Sequence, residues 1–121
     1  MHIDLSTIKN AYFSCEERKI CLKEGEILLH EGNQNQKLYI VHKGLLCGFG
    51  KNPDGSPFKL FKAGPDSFVG LVSFFSTGFT ITATVIAEEP TELYYLDWSI
   101  VENSGKAIRE FLALFMPVVV Y

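Results

Sequence analysis

Three histidines, three cysteines and two pairs of adjacent glutamates are the groups in this 121-residue chain that could form a metal site or a catalytic centre. Their spacing argues against both. His2, His30 and His42 make no His-x-His pair, and no downstream glutamate completes a histidine-carboxylate metal triad. Cys15, Cys21 and Cys47 stand in no Cys-x-x-Cys pairing, and an odd count is wrong for a disulfide framework. Cys21 and Cys47 fall on strand-like runs and read as small core residues. Glu16-Glu17 and Glu88-Glu89 are adjacent, so in a strand each pair points to opposite faces and reads as solvated rather than as an acid and base sharing a substrate. No Ser/His/Asp order, phosphate-binding loop or dinucleotide fingerprint is present. The expectation is a noncatalytic, metal-free protein. Unpaired thiols, and a polar Met1 to Asn10 where an export signal needs an apolar stretch, imply a reducing, cytoplasmic setting.

Charge narrows the partners further. Residues up to Lys62 carry nine Lys/Arg against seven Asp/Glu, whereas the remainder carries two against seven. From Ala63 to Gly105 there is no Lys, Arg or His, so that half cannot make the phosphate contacts that dominate nucleic-acid affinity. Neither nucleic-acid binding by this piece nor a membrane segment is expected. With 47% apolar and 21% charged residues in 13.6 kDa, the chain has the profile of one globular domain that buries roughly two thirds of its unfolded surface.

Several short elements must position whatever function remains. Asp4 can cap a first helix whose apolar positions Leu5, Ile8 and Tyr12 share a face, ending near Ser14. Short β-rich runs then follow at 19–23, 27–30, 38–43, 45–51, 58–62, 80–87 and 92–96. Turn chemistry bounds them at Glu24-Gly25, Glu31-Gly32-Asn33, Gly44, Asn52-Pro53-Asp54-Gly55, Ala63-Gly64-Pro65 and Glu89-Pro90. Such close punctuation predicts an antiparallel sandwich or barrel. One segment, Gly70 to Ser76, can make a turn or two of helix among the strands. After Leu96, Asp97 or Ser99 can cap a helix through Glu102, with Trp98 anchoring it against the β structure. A last helix carries Ile108, Phe111, Leu112 and Phe115 on one face, and its apolar surface is wider than one core contact needs. The chain stops in the apolar run Phe111 to Tyr121 without a helix stop signal, which implies continuation into a longer protein.

The string from Lys23 to Asn33, followed by Leu38-Tyr39-Ile40-Val41, Gly44, Gly64 to Gly70 and Ala83-Thr84-Val85, resembles the cyclic-nucleotide-binding domain family, of Crp/Fnr type. The order and spacing of these pieces carry the resemblance over almost the whole chain. It implies a mainly β fold: a double-stranded β-roll, jelly-roll-like, over residues 15–97, with a short N-terminal helix over 1–14 and C-terminal helices over 98–121. It also implies a ligand-holding cassette over 67–83. In the family that cassette has a Gly-Glu near its start and a Pro-Arg-Ser-Ala at its end, the Glu taking a ribose hydroxyl and the Arg the cyclic phosphate. Laid on this chain without gaps, Gly70, Thr82 and Ala83 match, whereas the Glu falls on Leu71, the Arg on Ile81 and the Pro on Thr80. Both charged anchors are replaced by aliphatic side chains.

A cyclic nucleotide is an anion, and burying it requires a cation and aligned hydrogen bonds in place of water. A buried charge left without its partner costs roughly 3–5 kcal/mol, or two to three decades of affinity. Tight binding of cAMP or cGMP is therefore not expected, and no cofactor is assigned. The candidate pocket residues are Val69, Gly70, Leu71, Val72, Ile81, Thr82 and Ala83, an apolar lining that either fills the roll or takes a small, mostly apolar ligand oriented by Thr80 or Thr82. The resemblance further implies a regulatory or sensor role in a signalling or transcription protein. A homodimer through Ile108, Phe111, Leu112 and Phe115 of the last helix is the expected partner arrangement.

Overall fold

The computed structural model describes residues 5–70, 81 and 83–103. Helix α1 spans Leu5–Tyr12, and a single 3-10 turn, Glu16–Arg18, leads into the β structure. Eight strands follow: β1 (Lys19–Leu22), β2 (Ile27–Leu29), β3 (Lys37–Lys43), β4 (Leu46–Lys51), β5 (Pro57–Ala63), β6 (Phe68–Val69), β7 (Thr84–Ala87) and β8 (Thr91–Asp97). Helix α2, Trp98–Asn103, begins directly on the last strand. Six of the seven runs expected from turn chemistry are strands here to within one or two residues, and β6 answers to none of them. Of the run starting at Thr80, the described strand is Thr84–Ala87, and Thr80 and Thr82 lie outside the described residues. Ile81 gives its backbone to the 32–33 turn instead, its N–H donating to the Asn33 carbonyl at 2.8 Å and its carbonyl accepting from Gly32 at 2.9 Å.

Strands this short, each apolar on alternate residues, bury that apolar face only by pairing into sheets that stack. They form two antiparallel four-stranded sheets, β1-β8-β3-β6 and β2-β7-β4-β5. The space between them holds Leu29, Tyr39, Val41, Leu46, Val69, Ile81, Val85 and Leu93, all buried. Strand β3 is buried on both faces: Leu38 and Ile40 point away from that interior, opposite Leu96 and Phe68 in register. Phe13, at the end of α1, meets the Phe68 ring edge-on at 5.8 Å. An ion pair between Lys9 and Asp66 ties α1 to the turn before β6.

Cys47 is buried as expected, but Cys21 is exposed. The core-facing phase expected of β1 is the opposite of the one it adopts: in this edge strand Cys21 stands opposite Glu92 and turns outward. Glu88 likewise departs from the solvated reading. It is half-buried, with its two carboxylate oxygens paired to Lys59 at 3.1 Å and Lys62 at 3.5 Å. No helix among the described residues is long and apolar enough to cross a membrane.

Candidate functional site

The site begins where β6 ends. Val69 is 1% exposed and pairs with Tyr39 across the sheet, which delivers the chain to Gly70. Gly70 has φ +88°, in the left-handed region where a side chain is strained. A Cβ there would also stand 3.2 Å from the Lys37 carbonyl and 3.3 Å from the Asn35 amide. The cassette therefore leaves the sheet through a position that only glycine fits without strain. Asn35 is buried, and its amide donates to the Lys37 carbonyl at 2.6 Å while its oxygen accepts from the Tyr39 hydroxyl at 3.2 Å. Burial, with smaller contributions from Asp97 and Tyr95, pushes the Tyr39 hydroxyl up to about 12, so it stays neutral and donates.

At the far end of the cassette, Ile81 is 4% exposed and Ala83 3%. The Ile81 side chain belongs to the same apolar cluster as Leu29, Tyr39, Val69 and Val85. Ile81 and Tyr39 also border a solvent-open groove of about 450 Å³, together with Leu28, Asn33, Gln36, Lys37 and Asp97. Lys37 and His30 are the cationic or titratable bases lining this groove among the described residues. The Lys37 ammonium sits 4.5 Å over the Tyr95 ring, held by the ring's negative face. Of the expected pocket residues, Val69 and Ile81 share one apolar cluster, Gly70 follows Val69 directly, and Ala83 is buried just before β7. Leu71, Val72, Thr80 and Thr82, and Ile108, Phe111, Leu112 and Phe115 of the last helix, lie outside the described residues.

Sequence reasoning missed a second feature of the interior. Gly48 and Gly50 on β4 leave bare backbone on the inward face. The Phe61 ring lies across Gly48 so closely that a Cβ there would be 1.9 Å from it, and the Phe58 ring lies 2.9 Å from a Cβ at Gly50. Phe61 packs against the cluster containing Val69 and Ile81. The alternation Gly-x-Gly facing Phe-x-x-Phe was a visible signal. What hid it is the irregularity between Gly48 and Phe49, which changes the pairing from Phe61 opposite Gly48 to Lys59 opposite Phe49.

Elsewhere among the described residues, charged groups tie strands together. Hydrogen bonding from Lys59, and then from Cys47, holds the Glu88 carboxyl below its ordinary value, while the same carboxylate raises the Lys59 ammonium. Burial pushes the Cys47 thiol up, away from the thiolate a nucleophile needs. Among the described residues no three His, Cys, Asp or Glu side chains gather as a metal site would require.

The cyclic nucleotide-binding domain model matches residues 19–104. This chain belongs to the cyclic nucleotide-binding domain family. A comparison with curated proteins yields no match. Among solved structures, a transcriptional regulator from Thermotoga maritima superposes with a TM-score of 0.75 at 19% identity, over 98% of this chain and 88% of that one. The catabolite activator protein of Thermus thermophilus gives 0.77 at 22% identity, over 95% of this chain and 51% of its own. A regulatory subunit of a cAMP-independent protein kinase A from Trypanosoma brucei gives 0.68 at 19%, over 81% and 36%. These likenesses share the fold, a cyclic-nucleotide-binding β-roll. This chain spans about half of the Thermus protein and about a third of the Trypanosoma one.

Proposed function

We propose that this chain is a noncatalytic, cytoplasmic regulatory domain of a larger signalling or transcription protein, and that it works without tight binding of cAMP or cGMP. The reading rests on Ile81. The family resemblance puts the phosphate-binding arginine there, and the side chain at that position is aliphatic and buried among Leu29, Val69 and Val85. An anion brought to this point would be desolvated without the guanidinium the family supplies there, at a cost of roughly 3–5 kcal/mol, and the Lys37 ammonium bordering the same groove is held over the Tyr95 ring. The Phe61 ring, laid over Gly48 and packed on the same cluster, supports the reading by supplying apolar contact inside the roll without a ligand. A module so filled passes on the state of its own packing or of a partner rather than the concentration of a cyclic nucleotide.

Titration calorimetry and thermal melting with cAMP and with cGMP test this. A site with a dissociation constant of about 10 µM would gain about 2.7 kcal/mol at about 1 mM nucleotide and show a clear rise in Tm. The expected result is no saturable heat and a melting curve that does not move. Stoichiometric uptake of either nucleotide at micromolar concentration would overturn the proposal.

A further inference from the structure

In the groove beside Ile81, one cation and one carboxylate stand opposite each other without pairing. Lys37 opens β3 and Asp97 closes β8, and the two are direct partners in the register, with Tyr39 opposite Tyr95 two residues further in. Alternation puts all four side chains on the side of the sheet from which Tyr39 and Tyr95 pack into the apolar cluster. Facing residues of opposite sign ordinarily pair across the strands. Here each charge turns along the diagonal instead. The Lys37 ammonium lies 4.5 Å over the Tyr95 ring, and Asp97 is, after burial, the next cause of the raised Tyr39 hydroxyl. Lys37 and Asp97 are half-buried and border the groove of about 450 Å³, and neither has an ion-pair partner among the described residues. A ring face attracts an ammonium but brings no negative charge to neutralise it. The groove thus presents a separated plus and minus. An anion alone meets Asp97, a cation alone meets Lys37, and a neutral molecule leaves both unmatched.

We propose that this groove binds a free α-amino acid, its carboxylate on the Lys37 ammonium and its ammonium on the Asp97 carboxylate. A zwitterion is the small ligand that answers both charges at once. The volume falls in the range of small-molecule sites, about 300–1,000 Å³, and leaves room for a side chain running past Asn33 and Gln36. The inference deepens the regulatory reading, and rests on it for its consequence, because the same segment holds both exits from the sheet. The Lys37 carbonyl accepts from the Asn35 amide at 2.6 Å and stands 3.2 Å from where a Cβ at Gly70 would be, at the start of the cassette. The neighbouring Gln36 carbonyl accepts from the Trp98 N–H at 2.8 Å, at the start of α2. A ligand that draws on Lys37 and Asp97 therefore acts on the backbone from which the cassette and α2 depart.

Thermal melting and Trp98 emission of the whole chain, with each standard α-amino acid in turn at about 10 mM, test the proposal. The expected result is a saturable rise in Tm with one amino acid or a few of related side chain, and calorimetry then gives the affinity. Two derivatives of that amino acid dissect the contact. Its α-amide lacks the carboxylate and its N-acetyl form lacks the ammonium, and each should bind the wild type about tenfold or more weakly. Lys37→Met should bind acid and amide alike, and Asp97→Asn should bind the free and the acetylated amine alike, with circular dichroism confirming that both are folded. No stabilisation by any amino acid, a derivative that binds the wild type as tightly as its parent, or a parent affinity that neither variant changes would each overturn the proposal. Failure here leaves the melting curves with cAMP and cGMP as they are, whereas failure of the regulatory reading appears there as nucleotide uptake.

Discussion

A single hydrogen atom at Gly48 decides how the interior of the roll is filled. With no side chain there, the Phe61 ring lies flat on the strand and reaches the cluster around Ile81. Adding one methyl puts carbon 1.9 Å from that ring, which neither backbone nor aromatic can absorb without moving. Gly48→Ala should therefore destabilise the domain by about 1–3 kcal/mol, as overpacking of a dense interior generally does. Phe61→Ala should cost about as much by leaving a cavity. The double variant should cost clearly less than the sum, because the ring that clashes is the ring that is removed. Urea denaturation of the four proteins measures this cycle, and strict additivity would show that the ring does not lie on Gly48.

Among the elements, the β4–β5 hairpin and β7 are joined by more than their ladder. Glu88, just past β7, takes Lys59 and Lys62 from β5 over the buried Cys47. Its folded pKa is lowered from 4.5, chiefly by the hydrogen bond from Lys59. A carboxyl whose folded pKa lies below its unfolded one binds fewer protons when folded. Its contribution is thus fully present above pH 4.5 and is lost as pH falls through the lowered folded value. Glu88→Gln should lower stability near neutrality, and the gap between wild type and variant should close on acidification below pH 4.5. Thermal melts across that range read the effect, which should also shrink in high salt because the lysines are exposed. A gap that widens toward acid would mean the carboxylate is not the stabilised form. The hairpin tip has its own tie: Asp54 accepts from the Ser56 N–H and hydroxyl at 2.9 and 2.6 Å, as the turn sequence Asn52-Pro53-Asp54-Gly55 leads one to expect.

At the level of the whole molecule, topology is non-local. The first strand pairs with the last, Lys19 opposite Tyr94, and β2 pairs with β7 across more than half the described chain. Loop closure over such distances precedes the contacts that reward it, so refolding should be slow, on the millisecond-to-second scale typical of all-β domains. Stopped-flow refolding followed by Trp98 fluorescence checks this, and completion within about 0.1 ms would contradict the closure argument.

Much of this architecture is written locally. Turn residues mark where each strand stops, alternation marks what it buries, and the replacement of two charged anchors by Leu71 and Ile81 is visible by direct reading of the cassette. Hence the roll and its family follow from the sequence alone, because each depends on residue type and spacing within a few positions. Other features depend on which residues face one another across strands. The phase of the edge strand that turns Cys21 outward, and the irregularity that sets Phe61 on Gly48, are properties of pairing. So are the gathering of Lys59, Lys62 and Glu88 and the placing of Lys37 opposite Asp97. A one-residue shift in register moves a side chain to the other face, and only the folded sheets select the register.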